Sequence, residues 1–210
     1  MVLSFERGTK FTMSSILKRK KKKQSYGLTK SEQKSINQHN RQYAGEEKMI
    51  KENFKHLQFM GYMTLRDRYD FERDGLIDFY KRIKYVFEKY ESNELSTKEM
   101  LTYCEGNKID VYGWVNSITQ QQKLKLADCG KHKGFTIDLI KVLDASILIY
   151  GMISASVLKE IFNFSSETIE EFYGHISYYI DSYVRNYLND DMINEIMKEE
   201  CDLDLYKGED

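Results

Sequence analysis

Six consecutive basic side chains, Lys18, Arg19, Lys20, Lys21, Lys22 and Lys23, form the densest run of a single chemistry in this 210-residue chain. Such a run neutralises nucleic-acid phosphates, and binding of that kind weakens steeply with salt. The same short run would also serve as a nuclear-import address, or simply as a solvated tail. Phosphate contacts position a protein without reading sequence, so specificity requires an ordered surface beside the run. The polar-basic stretch that follows it, with Lys30, Lys34, Gln38, Arg41 and Gln42, is the candidate for that surface.

Other residue types with chemical reach are thinly spread. Cys129 and His132 stand at Cys-x-x-His spacing, but a structural zinc takes four ligands and no second pair lies nearby. The surrounding "DCGKHKG" has glycines and lysines without the Gly-x-x-x-x-Gly-Lys-Ser/Thr spacing of a phosphate loop. No Gly-x-Ser-x-Gly elbow is present, and none of the four His can be tied to a nucleophile. Adjacent acids such as Asp190-Asp191 and Glu199-Glu200 read as solvated surface on so charged a chain. No metal, cofactor or catalytic residue is expected.

Tyr (16) and Phe (11) are abundant enough to build a core and still leave aromatic groups for partners. Phe79, Tyr80, Tyr85, Phe87 and Tyr90 fall in one segment and could in principle stack bases. Helical periodicity assigns most of them to a buried stripe. Tyr85 and the corresponding Tyr178 fall off that stripe onto a more polar face, which suits a protein–protein contact.

The elements that must position these groups are helices. Proline is absent from the chain, which removes the commonest helix terminator. The chain also matches itself: "YDFERDGLIDFYKRIKYVFEKYESNEL" at 69–95 aligns with "FNFSSETIEEFYGHISYYIDSYVRNYL" at 162–188, an offset of 93. Phe71/Phe164, Phe79/Phe172, Tyr80/Tyr173, Ile83/Ile176, Tyr85/Tyr178 and Tyr90/Tyr183 are identical pairs, and "IDVY" (109–112) later faces "LDLY" (203–206). Each copy reads as three helices. The first runs about 48–68 or 137–161, the central one carries the aromatic stripe, and a short third starts at a capping box on Ser96 or at Asn189. The expected fold is all-α. Two tandem three-helix repeats, 31–112 and 136–210, are joined by a linker over 113–135 and preceded by a disordered basic arm over 1–30.

Charge divides unevenly along this plan. Residues 1–56 hold 14 Lys/Arg against 5 Asp/Glu, and residues 57–210 hold 18 against 28. A basic arm on an acidic body suits partners of both signs, a nucleic acid or nucleoprotein for the arm and a basic protein for the repeats. The three Cys show no short-spaced pairing, which fits a reducing cytoplasm. The most apolar run, Ala145 to Val157, includes Tyr150, Gly151 and three serines and reads as a buried helix. No membrane association is expected.

The stretch "LRDRYDFERDGLIDFYKRIKYVFEKY", followed by "STKEMLTYCEGNKIDV", resembles small helical proteins encoded by prophages and conjugative elements of low-GC Gram-positive bacteria. Phe71 would stand at their aromatic turn, Leu76 and Phe79 on the helix, and Ile109-Asp110-Val111 at their terminal motif, while Asp70 and Glu72 replace the usual glycines. The resemblance implies a mobile-element context and carries over no functional residue. In that context the expected role is a non-enzymatic binding protein, an inhibitor of a host defence nuclease in the manner of an anti-CRISPR. The alternative is a DNA- or RNA-binding accessory protein using the arm and first helix; a metal-dependent nuclease comes third.

Overall fold

The computed structural model describes the backbone of residues 30–127 and 137–206, with side chains over 49–127 and 139–206. Among the described residues there are eight helices and no strand: α1 (Lys30–Tyr69), α2 (Arg73–Glu91), α3 (Thr97–Gly106), α4 (Val111–Ser117), α5 (Gln120–Leu126), α6 (Ile137–Glu160), α7 (Ser166–Val184) and α8 (Asp190–Cys201). The fold is all-α.

The most apolar helix takes the centre. α6 packs against α1, α2, α3, α4, α5 and α7, and Leu143, Ile147, Tyr150, Ile153 and Leu158 on it are fully buried. Its stretch Leu139–Glu160 is long and apolar enough to cross a bilayer, yet 61% of that stretch is buried inside the bundle. Ser146 and Ser154 are also buried, and each donates its hydroxyl to the carbonyl three residues back, so neither hydroxyl is left without a partner.

The offset of 93 reappears in the backbone. α2 and α7 have the same length of 19 residues and begin 93 apart. Left-handed residues flank them in step: Asp70 (φ 54°) before α2 with Asn163 (57°) before α7, and Asn93 (64°) after α2 with Asn186 (59°) after α7. Asp and Asn tolerate this region better than other residues with a side chain, so these turns form without glycine. The Phe71 amide donates to Leu65 O, and the Phe164 amide donates to Leu158 O.

Contacts between the halves are reciprocal. Tyr69 meets Phe164 at 4.8 Å between ring centroids, and the corresponding pair, Phe162 with Phe71, meets at 5.0 Å. Phe71 touches its own counterpart Phe164, and Phe79 touches Phe172, as residues beside a two-fold axis do. Asn53 Oδ1 stands 2.9 Å from the hydroxyl of its counterpart Ser146, sharing its single proton with the Leu143 carbonyl. One buried cluster draws on both halves, and α1 packs more extensively on α7 than on α2.

The segment expected to be a linker over 113–135 is structured through Ala127. Asp110 caps α4 by accepting from Gly113 N at 2.7 Å, and Thr119 with Gln122 makes a capping box on α5. Trp114, Val115, Ile118 and Leu126 from this segment are buried. Glycines at 113, 130 and 134 give the segment the composition of a linker, and its apolar pattern is too short to register as a helix. The expected first helix over 48–68 is the C-terminal half of α1, which continues without a break from Lys30.

Candidate functional site

The expected nucleic-acid surface lies mostly beyond what the structure describes. Lys18, Arg19, Lys20, Lys21, Lys22 and Lys23 fall outside the described residues, as do Cys129 and His132. Lys30, Lys34 and Arg41 are on the backbone of α1. Steps of four and eleven residues bring a helix nearly back into register, so these three positions share one face.

Tyr85 and Tyr178, the expected protein-contact residues, are 53% and 62% exposed. They stand at matching positions of α2 and α7, each held by a local neighbour. The Lys89 ammonium lies 4.6 Å from the centroid of the Tyr85 ring, while Tyr178 packs edge-on against Tyr179. A hydrogen bond with Tyr85 raises the Lys89 ammonium above its ordinary range.

The surroundings of the two tyrosines differ in charge. Across residues 49–112 there are 11 Lys/Arg and 12 Asp/Glu; across 137–206 there are 4 and 14. Of the four cations in the second set, Arg185 pairs with Asp181 and Lys198 with Asp204. Glu167, Glu170 and Glu171 on α7, and Glu195 and Glu199 on α8, are exposed. Tyr187 (71% exposed) lies in the turn between α7 and α8, and the exposed Met192 in the first turn of α8, so large apolar groups recur along this acidic surface. Tyr and Met are residue types enriched at protein interfaces, whereas Glu and Asp are depleted there.

A third constellation was missed by sequence reading. His56 on α1 is 3% exposed, and its Nδ1 lies 2.5 Å from the Leu126 carbonyl at the end of α5. A carbonyl can only accept, so Nδ1 carries a proton. The opposite nitrogen, Nε2, lies 3.1 Å from Asp190 Oδ1 and 2.9 Å from the Tyr183 hydroxyl. Lys55 reaches Asp190 Oδ2 at 2.7 Å, and the Tyr183 hydroxyl donates to Oδ1 at 3.0 Å. Burial by itself would raise the Asp190 carboxyl, but hydrogen bonds and charge from His56 and Lys55 hold it well below the usual carboxylate range. Asp190 also opens α8, where the helix dipole favours an anion.

This constellation resembles a proton relay in composition but has no open side. Both His56 nitrogens are engaged within the protein, and the ring is sealed by packing against Tyr183. It acts as a clasp between α1, α5, α7 and α8. One signal could have revealed it. At the 93-residue offset His56 aligns with Ile149, and Asp190 with Thr97, so two polar groups replace less polar ones at matched positions.

A cleft of about 640 Å³ opens between the end of α1 and the end of α8, lined by Arg66, Asp67, Arg68, Tyr179, Glu200 and Cys201. Arg66 pairs with Asp67 and with Glu200 at 2.6 Å, and Tyr179 donates to Asp67, so these three charged groups are satisfied within the cleft wall. Cys104 and Cys201 are buried free thiols, and burial pushes Cys104 up to about 11. Among the described residues no group of three His, Cys, Asp or Glu side chains is arranged to hold a metal ion. No family model matches the chain, and neither the curated proteins nor the solved structures contain a match to it.

Proposed function

We propose that this chain is a binding protein that presses the acidic, tyrosine-bearing face of α7 and α8 onto the basic nucleic-acid channel of a protein target. The observation that carries the reading is the 4-to-14 imbalance of charge across 137–206, with Tyr178 exposed within it. Charge complementarity of this sort speeds encounter and excludes wrong partners, while a central Tyr supplies contact area. The basic run Lys18–Lys23 would then engage the nucleic acid held in that channel. With the resemblance to mobile-element proteins, the target class is a host defence nuclease, of which an RNA-guided nuclease is the leading instance.

The test is cleavage of a target duplex by a panel of RNA-guided nucleases with the full chain added. Inhibition is expected. Charge reversal with Glu170→Lys and Glu171→Lys together with Tyr178→Ala should relieve it by at least about tenfold. Neutralising Lys18–Lys23 should weaken it less.

The shared face of Lys30, Lys34 and Arg41 favours a second reading, direct nucleic-acid binding by the arm and α1. Tight, salt-sensitive binding of free duplex or RNA that is lost with the arm and untouched by the α7 changes would replace the first reading with this one. Cleavage of nucleic acid by the chain alone when magnesium is supplied would overturn both.

A further inference from the structure

Among the described residues the matched halves show one place where a site is filled on one side and uncovered on the other. In the second half, α4 lies across α6 and α7. Trp114 stacks on Tyr173 at 4.5 Å with the rings 9° apart, and its indole N–H donates to Ser177 Oγ at 3.1 Å. Gly151 makes room beneath it: a Cβ there would stand 2.9 Å from the indole ring and 2.6 Å from Val111. Tyr173 is left 1% exposed.

The first half presents the corresponding surface without a cover among the described residues. Tyr80 matches Tyr173, Gln58 matches Gly151, Lys84 matches Ser177, and Leu205 matches Val111. Here a groove of about 200 Å³ remains, lined by Gln58, Tyr62, Ile77, Tyr80, Leu203 and Leu205, with Lys55 and Asp204 also in its wall but engaged by Asp190 and Lys198; Ile77, Tyr80 and Leu205 are only partly buried. Gln58 donates to the Tyr62 hydroxyl at 2.8 Å and fills part of the space that the indole occupies over Gly151. What remains suits a leucine or phenylalanine side chain rather than a tryptophan.

The groove edge also differs in charge. Lys84 stands where Ser177 accepts the indole N–H, and Lys81 stands where the second half has Gly174. Both lysines are exposed and make no ion pair among the described residues. Lys81 and Lys84 follow the lining residues Ile77 and Tyr80 by one helical turn, which sets two cations beside a largely apolar slot and matches an acidic segment with one apolar anchor.

We propose that this groove beside α2 docks a short acidic helical segment of a protein partner, with a Leu or Phe inserted between Ile77 and Leu205. It is a second interface, distinct from the acidic face of α7 and α8 and opposite to it in preferred charge. The pair would let one chain hold a basic and an acidic partner surface together.

The probe is a fluorescein-labelled synthetic peptide of about twelve residues, Glu-rich with Leu and Phe one helical turn apart, titrated against the full chain by anisotropy. Saturable binding that weakens with salt is expected. Lys84→Glu, a surface change that leaves the core intact, and Ile77→Asp should each cost at least about tenfold in affinity, whereas Tyr178→Ala should leave it unchanged. The last variant separates failure here from failure of the proposed function. Absence of binding, binding equal in all variants, or loss only with Tyr178→Ala overturns the proposal. So does concentration-dependent self-association abolished by Lys84→Glu, which would make a second copy the occupant.

Discussion

α2 and α7 are 19-residue helices in matching positions, yet they meet their surroundings differently. α2 buries Leu76, Phe79, Ile83 and Tyr90; α7 buries Ile169, Phe172, Tyr173, Ile176, Tyr179 and Ile180. On the solvent side α2 carries five basic and four acidic residues, and α7 carries four acidic residues and no Lys or Arg. Two pairs of counterparts that touch, Phe71 with Phe164 and Phe79 with Phe172, keep the same residue, whereas a third, Asn53 with Ser146, joins two different polar groups. Close packing leaves little freedom at the phenylalanines, since each must fit its own counterpart. On the solvent side that constraint lapses, and the charge differs.

The largest effect is expected from exchanging the residues beneath the covered and uncovered grooves. Gly151→Gln puts the first half's side chain where a Cβ already meets Val111 and Trp114 inside 3.0 Å. Overpacking of this kind costs about 3 kcal/mol. In a urea titration the midpoint should fall, and Trp114 emission should shift to the red as α4 lifts away from Tyr173. The reverse change, Gln58→Gly, removes a side chain from a helix that has space above it. It should cost only about 1 kcal/mol, mostly the helix penalty of glycine. Equal costs for the two exchanges would show that α4 is not held tightly.

How much of this was legible in the sequence depended on whether a feature is periodic. The stripe Leu76, Phe79, Ile83 and Tyr90 recurs at helical spacing, so α2 and α7 were expected where they lie, and Ser96 with Glu99 announced the start of α3. Tyr85 and Tyr178 were placed outward because they break that period, and both are exposed. α4 and α5 escaped notice, being seven residues each and therefore too short to display a period. Trp114 is the one Trp and stands at the junction of the repeats, but its partner is not legible: the indole meets Ser177, 63 residues away, a relation that no local pattern carries. The His56 clasp draws on α1, α5, α7 and α8, and only the mismatch between halves hinted at it.

That clasp supplies the next contrast. Asp190 is held deprotonated by His56 and Lys55, whereas its counterpart Thr97 makes one hydroxyl contact, to Tyr90 at 3.2 Å. Asp190→Asn leaves His56 and Lys55 facing an amide, and should cost about 2 kcal/mol near neutral pH, discounted for partial exposure of the carboxylate. Thr97→Ala should cost about 1 kcal/mol. Because the folded carboxyl sits below its unfolded value, its contribution is complete above about pH 4 and drains away as pH falls further. Stability measured by urea from neutral pH downward should therefore fall less steeply in Asp190→Asn than in the parent. Parallel profiles would mean that the carboxylate gains nothing from its partners.

The smallest effect concerns the caps of α3 and α8, which begin 93 residues apart. Ser96 Oγ accepts from the Glu99 amide, and the Glu99 carboxylate returns to the Ser96 amide at 2.8 Å. Asn189 accepts from the Met192 amide at 3.0 Å, but Met192 stands where Glu99 would close the box. Ser96→Ala and Asn189→Ala should each cost about 1 kcal/mol at neutral pH, a loss visible as a shift of the thermal midpoint. Acid separates them. Hydrogen bonds from the Ser96 hydroxyl and amide hold the Glu99 carboxyl below its ordinary range, so the reciprocal half of that box is present at neutral pH and lost as pH drops through the carboxylate range. The cost of Ser96→Ala should shrink there. The Asn189 amide does not titrate, and Met192 offers no carboxylate to return, so the direct capping bond at α8 lacks that source of pH dependence. An identical acid response from both variants would mean that Glu99 contributes nothing to its cap. The two third helices would then differ in sequence alone.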